Sequence, residues 1–145
     1  MLVFLAVTSA AAFALNWLWE MVQMPGYAEA AGRGWGETAG MCTIAALRDL
    51  TLTLSIFAIV ALAAGAARWA IQWRWNGYLA AAVLGALVAT GYEWRILAFG
   101  PWRYTTAMPI IPRLGVGLWP FLQLPILVPA SLAVGALAAR GANRL

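Results

Sequence analysis

Four long apolar runs are the feature that most restricts the fold of this chain. Of its 145 residues, 64% are hydrophobic, and the mean hydropathy is +0.82. A water-soluble domain of this length could not bury that much apolar surface, so a lipid bilayer must surround much of it. Roughly 20 helical residues cross the hydrocarbon layer. The sequence therefore predicts one all-α integral membrane domain, a bundle of four transmembrane helices at about residues 1–23, 44–65, 78–99 and 116–139.

The basic residues are all arginines, and the net charge is +4. They are scattered along the chain, so we expect no nucleic-acid partner. With four spans, both termini lie on the same side of the membrane as the turn at residues 66–77. This side carries Arg68, Arg74, Arg140 and Arg144. Loops on the other side balance Arg33, Arg103 and Arg113 with Glu29 and Glu37. The positive-inside rule then favours cytoplasmic termini.

Two residue types that often carry chemistry are scarce. The chain has no histidine, and a single cysteine, Cys42. It therefore cannot ligate haem or zinc in the usual way, nor form an internal disulfide or an iron–sulfur site. We expect no cofactor and no metal, so any chemistry would depend on carboxyl groups.

Polar residues are concentrated near one end of the predicted helices. They end the first and third spans or begin the second and fourth: Asn16, Glu20, Arg48, Asp49, Glu93, Arg95 and Gln123. A charge near hydrocarbon costs roughly 2.5–3.5 kcal/mol, so such residues usually face a partner, water or a substrate. In an up-down bundle all of them lie at one depth. We expect the three carboxylates to cluster there, with Arg48 or Arg95 in salt-bridge reach.

Two interpretations of this cluster are open. Ion pairs between the arginines and the acids could simply fix the helix register. Alternatively, the cluster could form the polar head of an apolar pocket, in which one carboxyl keeps its proton and serves as a general acid. Trp94, Trp102 and Tyr104 would then line the pocket with aromatic faces that stabilise positive charge.

The segments between and within the helices carry their own signals. Residues 24–43 contain several glycines, which predict a loop. Proline and apolar residues in the loop at 100–114 predict an ordered segment that folds back over the helix ends. Pro125 and Pro129 predict a kinked or locally unwound fourth helix. Small residues spaced four apart predict close helix packing: Ala81, Gly85, Ala89, Ser131, Gly135 and Ala139.

Several motifs resemble those of a group of small bacterial multi-pass membrane proteins: NWLWE, MPGY, the Arg–Asp pair of the second span, GYEW, GPWRY, MPIIP and GVGLWP. The resemblance covers nearly the whole chain and implies four helices in a bacterial inner membrane. It places the group's recurrent polar positions at Asn16, Glu20, Asp49, Glu93, Trp102, Tyr104 and Gln123.

The chain is more loosely similar to integral-membrane terpenoid enzymes, namely carotenoid cyclase and hydratase domains and fungal meroterpenoid cyclases. The similarity lies in apolar helices with a Trp–Glu pair near a helix end, as at Glu20 and Glu93. Those enzymes protonate an alkene or epoxide with a carboxylic acid and shelter the carbocation with aromatic rings. They usually have more helices, and the carotenoid cyclase domains have a Pro-x-Glu-Glu motif that is missing here.

Three functions follow as hypotheses. The first is an enzyme that acts on an isoprenoid or other membrane lipid by acid–base chemistry without a metal, as a cyclase, isomerase or hydratase. Its catalytic residues would be Glu20, Glu93 and Asp49, and its substrate-binding residues Asn16, Arg48, Arg95, Trp94, Trp102, Tyr104 and Gln123. The second is a non-catalytic accessory subunit of a larger membrane complex. The partners expected are a membrane lipid or isoprenoid, and further copies of the chain in a homo-oligomer or a larger membrane complex. The third is a small proton-coupled transporter.

Overall fold

Four long helices dominate the computed structural model, which describes residues 1–142. Helix α1 is Leu2–Gln23, α2 is Trp35–Ala63, α3 is Trp75–Phe99 and α4 is Leu118–Ala142. Each is long and apolar enough to cross a membrane. The chain is therefore an all-α multi-pass membrane protein, as predicted. Arg144, which entered the charge comparison of the two sides, lies outside the described residues.

Helices α1 and α4 form the centre of the bundle. Helix α2 packs on α1 and helix α3 packs on α4, whereas α2 and α3 touch each other much less. A Cβ atom at Gly85 of α3 would lie only 2.9 Å from the backbone carbonyl carbon of Leu124 in α4. At Gly135 of α4 it would meet the backbone oxygen of Phe4 in α1 at 2.8 Å. The predicted small-residue packing is confirmed, because both glycines sit where two helix backbones approach closely.

Helix α2 begins nine residues earlier than the predicted start near Ile44, so the prediction of a loop over residues 24–43 is wrong for its last nine residues. Gly36 and Gly40 lie inside the helix, although each glycine costs roughly 1 kcal/mol relative to alanine. Tertiary contacts offset this cost: Trp17 Nε1 donates to Thr43 Oγ1 at 3.1 Å, and Cys42 is fully buried. At 29 residues, α2 is about 44 Å long, so it extends beyond the roughly 30 Å hydrocarbon layer.

Helix α4 is continuous from Leu118 to Ala142. The local unwinding that Pro125 and Pro129 were expected to allow does not occur. Each proline removes one backbone hydrogen bond and leaves the neighbouring turns intact. Those turns pack against α1 and α3, which keeps the chain helical through both positions.

The turn between α2 and α3, residues 64–74 (the distal turn), closes one end of the bundle. Trp69 is fully buried, and its ring packs 5.7 Å from Phe57 and 5.3 Å from Tyr78, centroid to centroid. Tyr78 Oη donates to the carbonyl oxygen of Ala70 at 3.1 Å. A basic turn with three tryptophans is typical of a membrane-interface belt. Trp69 instead belongs to the core, while Trp73 and Trp75 are exposed.

The opposite end is covered by the loop at residues 100–117 (the covering loop). It ends in a short antiparallel hairpin of β1, Ile110–Ile111, and β2, Val116–Gly117. Two backbone hydrogen bonds tie it to the segment after α1: Ala28 N–H to Arg103 O, and Thr105 N–H to Gly26 O, each 2.9 Å. Within this loop, the side chain of Met108 is buried. The predicted folding of this loop over the helix ends is thus confirmed.

Candidate functional site

The buried face of α1 leads into the site. Its buried residues repeat every three or four positions and end with Asn16, Glu20 and Gln23. This spacing keeps them on one side of a helix. The three form a polar stripe that faces α2 and α4.

Gln123 of α4 joins three helices through its side-chain amide. Its Nε2 atom lies 3.0 Å from Asn16 Oδ1, 3.1 Å from Glu20 Oε1 and 2.9 Å from Asp49 Oδ2. An amide nitrogen carries only two hydrogens. Three acceptors thus compete for two hydrogens. A proton held by one of the carboxyls would supply a third hydrogen.

Arg48 is the cation of this cluster. Its Nε and Nη2 atoms each lie 2.8 Å from Asp49 Oδ1, and Nη2 is 3.5 Å from Glu20 Oε1. Its guanidinium carbon also sits 4.1 Å from the ring centroid of Tyr92 in α3, within the range of a cation–π contact. One guanidinium therefore serves two buried carboxyls and spans the distance from α2 to α3.

Gln23 completes the first group of polar residues (the α1–α2–α4 cluster: Asn16, Glu20, Gln23, Arg48, Asp49 and Gln123). Its Nε2 donates to Glu20 Oε2 at 3.0 Å and to Gln123 Oε1 at 3.2 Å. Its own Oε1 atom is buried and has no hydrogen-bond partner among the described residues. A buried amide oxygen without a donor is costly, so this atom lowers the stability that the rest of the cluster provides.

Glu93 of α3 has a different environment. Tyr27 Oη lies 3.3 Å from each of its oxygens, and Tyr104 Oη donates to Oε2. The backbone N–H of Gly117 donates in turn to Tyr104 Oη at 2.8 Å. Burial, followed by the nearby Glu93 carboxyl, raises the pKa of both Tyr27 and Tyr104 above the ordinary value of 10.0. Both phenols therefore keep their protons and act as donors to Glu93.

A cavity of about 300 Å³ connects the two groups. This volume is at the lower end of the range for small-molecule sites. Polar residues at its wall include Glu20, Gln23, Arg48, Asp49, Glu93 and Gln123. The remaining wall is largely apolar or aromatic, with Met24, Tyr27, Met41, Ile44, Leu52, Tyr92, Ile96, Trp102, Pro120 and Leu124. Ile44 is also 72% exposed, so the cavity has an open edge on the outer face of α2.

Most of the predicted site residues meet here. Glu20, Asp49, Glu93, Arg48, Trp102 and Gln123 line the cavity. Asn16 and Tyr104 are not among the lining residues, but they contact Gln123 and Glu93 respectively.

Trp94 and Arg95 do not belong to the site. Both are exposed, because successive helical residues turn by about 100° and carry these two away from the face of Glu93. Trp94 instead pins the covering loop from outside, donating to the carbonyl oxygen of Leu114 at 2.8 Å. Among residues 1–142, Arg95 makes no ion pair with an acid, so Arg48 alone fulfils the expectation of a salt bridge.

Three residues of the site were not among those chosen from the sequence: Gln23, Tyr27 and Tyr92. Gln23 could have been included, since it continues the stripe of Asn16 and Glu20. Tyr27 follows α1 directly in the motif MPGY, on the same side as the covering loop. Its contact with Glu93 depends on the pairing of two loops, which no local pattern indicates.

Within residues 1–142, no group of three or more acidic or cysteine side chains is close enough to hold a metal ion. The chain was compared with protein-family models, with curated proteins and with solved structures, and none of them matches.

Proposed function

We propose that the chain is an enzyme that acts on an isoprenoid or another lipid-soluble substrate by carboxyl acid–base chemistry inside the membrane. One observation carries the proposal: a single cavity, partly apolar, is lined by carboxyl groups from three helices. Two of these carboxyls, Glu20 and Glu93, have unlike partners. A site that both gives and takes a proton needs such a difference.

The hydrogen bonds suggest which carboxyl has which role. Glu93 accepts from two phenols, so it is suited to act as the base. Glu20 lies with Asp49 around the crowded amide of Gln123, where one further proton would satisfy every acceptor. We assign Glu20 as the acid, Asp49 as its ionised partner and Arg48 as the residue that orients both. Protonation of a substrate alkene by Glu20 and loss of a proton to Glu93 would isomerise or cyclise it. Return of that proton to Glu20 would complete the cycle.

The accessory-subunit hypothesis receives less support. A closed bundle in which every carboxylate is paired with arginine would favour it. Glu93 makes no ion pair among the described residues, and its partners are tyrosines. A helix broken at its prolines would permit a transporter, but α4 is continuous.

The same proposal includes a location in a bacterial inner membrane with cytoplasmic termini. Arg68, Arg74 and Arg140 are exposed at the end of the bundle that carries the termini. None of the described residues at that end is acidic. The positive-inside rule would place this end in the cytoplasm.

Replacing Glu20 or Glu93 by glutamine tests the enzymatic role. Glutamine keeps the size and the hydrogen-bonding capacity but delivers no proton. We expect conversion to fall by about 10²–10⁴-fold while the melting temperature changes little. The measurement is mass spectrometry of membrane lipids from cells with and without the protein, together with thermal melting in detergent.

Glu37→Gln is the matched control, because Glu37 is exposed in the first turn of α2 and should leave conversion unchanged. Identical lipid profiles with wild-type protein and with empty membranes would argue against catalysis on membrane lipids. Loss of folded protein in both site variants would instead assign Glu20 and Glu93 to structure. Glu20 belongs to the ion-pair network of Arg48, and breaking a buried pair costs roughly 3–5 kcal/mol, whereas Glu93 holds two tyrosines.

A further inference from the structure

The charge of the cavity restricts what it can bind. Three carboxyls, Glu20, Asp49 and Glu93, line it together with one guanidinium, that of Arg48. Arg48 already contacts Asp49 and Glu20, and Glu93 makes no ion pair among residues 1–142. The cavity thus remains negative even if one carboxyl carries a proton. A phosphate, sulfate or carboxylate head would be repelled here.

Unused hydrogen-bond acceptors point to the same class of ligand. Gln23 lines the cavity, but its amide nitrogen already donates to Glu20 and Gln123. The amide nitrogen of Gln123 is shared among three acceptors. The α1–α2–α4 cluster therefore has more acceptors than donors. A ligand that brings N–H or O–H groups would satisfy them, whereas one that brings only acceptors would not.

The rest of the wall suits an apolar chain. Leu52, Ile96 and Leu124 contribute aliphatic surface, and Trp102 and Tyr27 contribute aromatic rings. The two rings pack edge to face with centroids 5.4 Å apart. Aromatic side chains attract cations through their faces. The cavity thus combines a negative, acceptor-rich head region with an apolar body.

We propose that this cavity stabilises positive charge on a bound amphiphile, and that it prefers an ammonium head to a neutral hydroxyl head and rejects an anionic head. The inference rests on the proposed function for its natural ligand, a lipid-soluble substrate that becomes positive when protonated. Binding itself requires no turnover.

Three probes with the same chain separate the head groups: decylamine, decanol and decyl sulfate. Decylamine is protonated at neutral pH, as lysine is. Binding is measured by isothermal titration calorimetry into nanodiscs of zwitterionic phosphatidylcholine that hold the wild-type protein or a variant, with empty nanodiscs to subtract partitioning. We expect decylamine to bind most tightly, decanol more weakly, and decyl sulfate not above the empty discs.

Glu93→Gln removes a carboxylate that faces the cavity. We expect it to weaken decylamine binding on the order of tenfold, since truncating a charge pair costs at least that much, and to leave decanol nearly unchanged. Glu37→Gln removes the same charge from an exposed position at the same end of the bundle, and should leave all three probes unchanged. Equal losses in both variants would mean a diffuse surface effect and would overturn the proposal.

Tyr27→Phe should change the affinity for decylamine in the opposite direction, and misfolding cannot produce tighter binding. It keeps the ring and removes one phenolic donor from Glu93, so the carboxylate is freer to bind an ammonium group. Decylamine should bind more tightly to this variant than to wild type. Decyl sulfate binding as tightly as decylamine, or weaker decylamine binding to folded Tyr27→Phe protein, would overturn the proposal.

This test and the test of the proposed function fail separately. The predicted order of probes in a protein whose glutamine variants change no lipid would refute catalysis and leave the charge preference in place. Conversion that depends on Glu20 and Glu93, without a preference for decylamine, would support catalysis and refute the charge preference.

Discussion

The two ends of the helix bundle hold their helices together by different means. At the distal turn, Trp69, Phe57 and Tyr78 pack ring against ring, and the polar atoms of Trp69 and Tyr78 bond to nearby backbone carbonyls. At the other end, side chains from α1, α2 and α4 bond to one another around Gln123. The first end is closed by local contacts, while the second surrounds a cavity.

This difference shows that one end of the bundle contributes mainly stability, whereas the groups capable of chemistry lie at the other end. Packing of rings is insensitive to charge and leaves no unsatisfied group. A polar network in a low-dielectric interior holds helices only while each partner remains in place. We therefore expect substitutions at the distal turn to change the free energy of unfolding without changing ligand binding. Substitutions that remove a shared donor from the site should change both.

The largest effect should come from the distal turn. Trp69→Ala removes a fully buried ring and should lower the free energy of unfolding by about 3–5 kcal/mol, because the rings of Phe57 and Tyr78 lose their common partner. Chemical unfolding in mixed micelles measures this. Trp75→Ala, in the neighbouring exposed position, is the control and should change little. Similar losses in both variants would mean that Trp69 does not close this end.

A smaller loss is expected at the site. Gln123→Leu keeps the approximate volume but removes the donor shared by Glu20, Asp49 and Asn16. The free energy of unfolding should fall by roughly 1.5–3 kcal/mol, and binding of decylamine should change as well. Gln72→Leu makes the same exchange at an exposed position of the distal turn, where we expect a change within about 0.5 kcal/mol. If the two leucine variants unfold alike, the amide of Gln123 contributes nothing to the bundle.

The smallest effect concerns pH. The pKa of Tyr27 is raised in the folded protein, so its contribution to stability is complete below pH 10 and declines as the pH rises above that value, where the unfolded tyrosine ionises first. The decline is at most about 1.4 kcal/mol per pH unit. Thermal melts of wild type and Tyr27→Phe from pH 8 to 11 measure the difference. Wild type should lose stability more steeply above pH 10, and parallel curves would contradict the assignment of Tyr27 as a buried donor.

Much of the fold could be predicted because lipid imposes simple requirements on sequence. Long apolar runs define the four spans, and small residues at fixed spacing mark where α3 and α1 approach α4. Helical periodicity also placed Asn16 and Glu20 on one face. Since the spans alternate in direction, Asp49 and Gln123 had to lie at a similar depth.

The parts that were missed depend on contacts between segments far apart in the chain. The glycines of residues 34–40 indicated a loop, yet α2 is helical from Trp35, and its tertiary contacts begin further along, at Cys42 and Thr43. Trp94 and Arg95 lie on a different face of α3 from Glu93, because successive helical residues are rotated about the helix axis. The prediction that they belong to the site followed only from their proximity to Glu93 in the sequence. Tyr27 reaches Glu93 because Ala28 and Thr105 pair two loops, and propensity does not encode such pairing.

The covering loop has a consequence for how any solute reaches the cavity. The loop and the segment after α1 are tied together over the water-facing side, while Ile44 and Leu47 expose apolar side chains on the outer face of α2. A solute that enters beside Ile44 arrives from within the bilayer. Its effective concentration is then a mole fraction in the membrane rather than a molarity in solution. Added lipid would dilute it and lower occupancy, even when the amounts of protein and solute stay fixed.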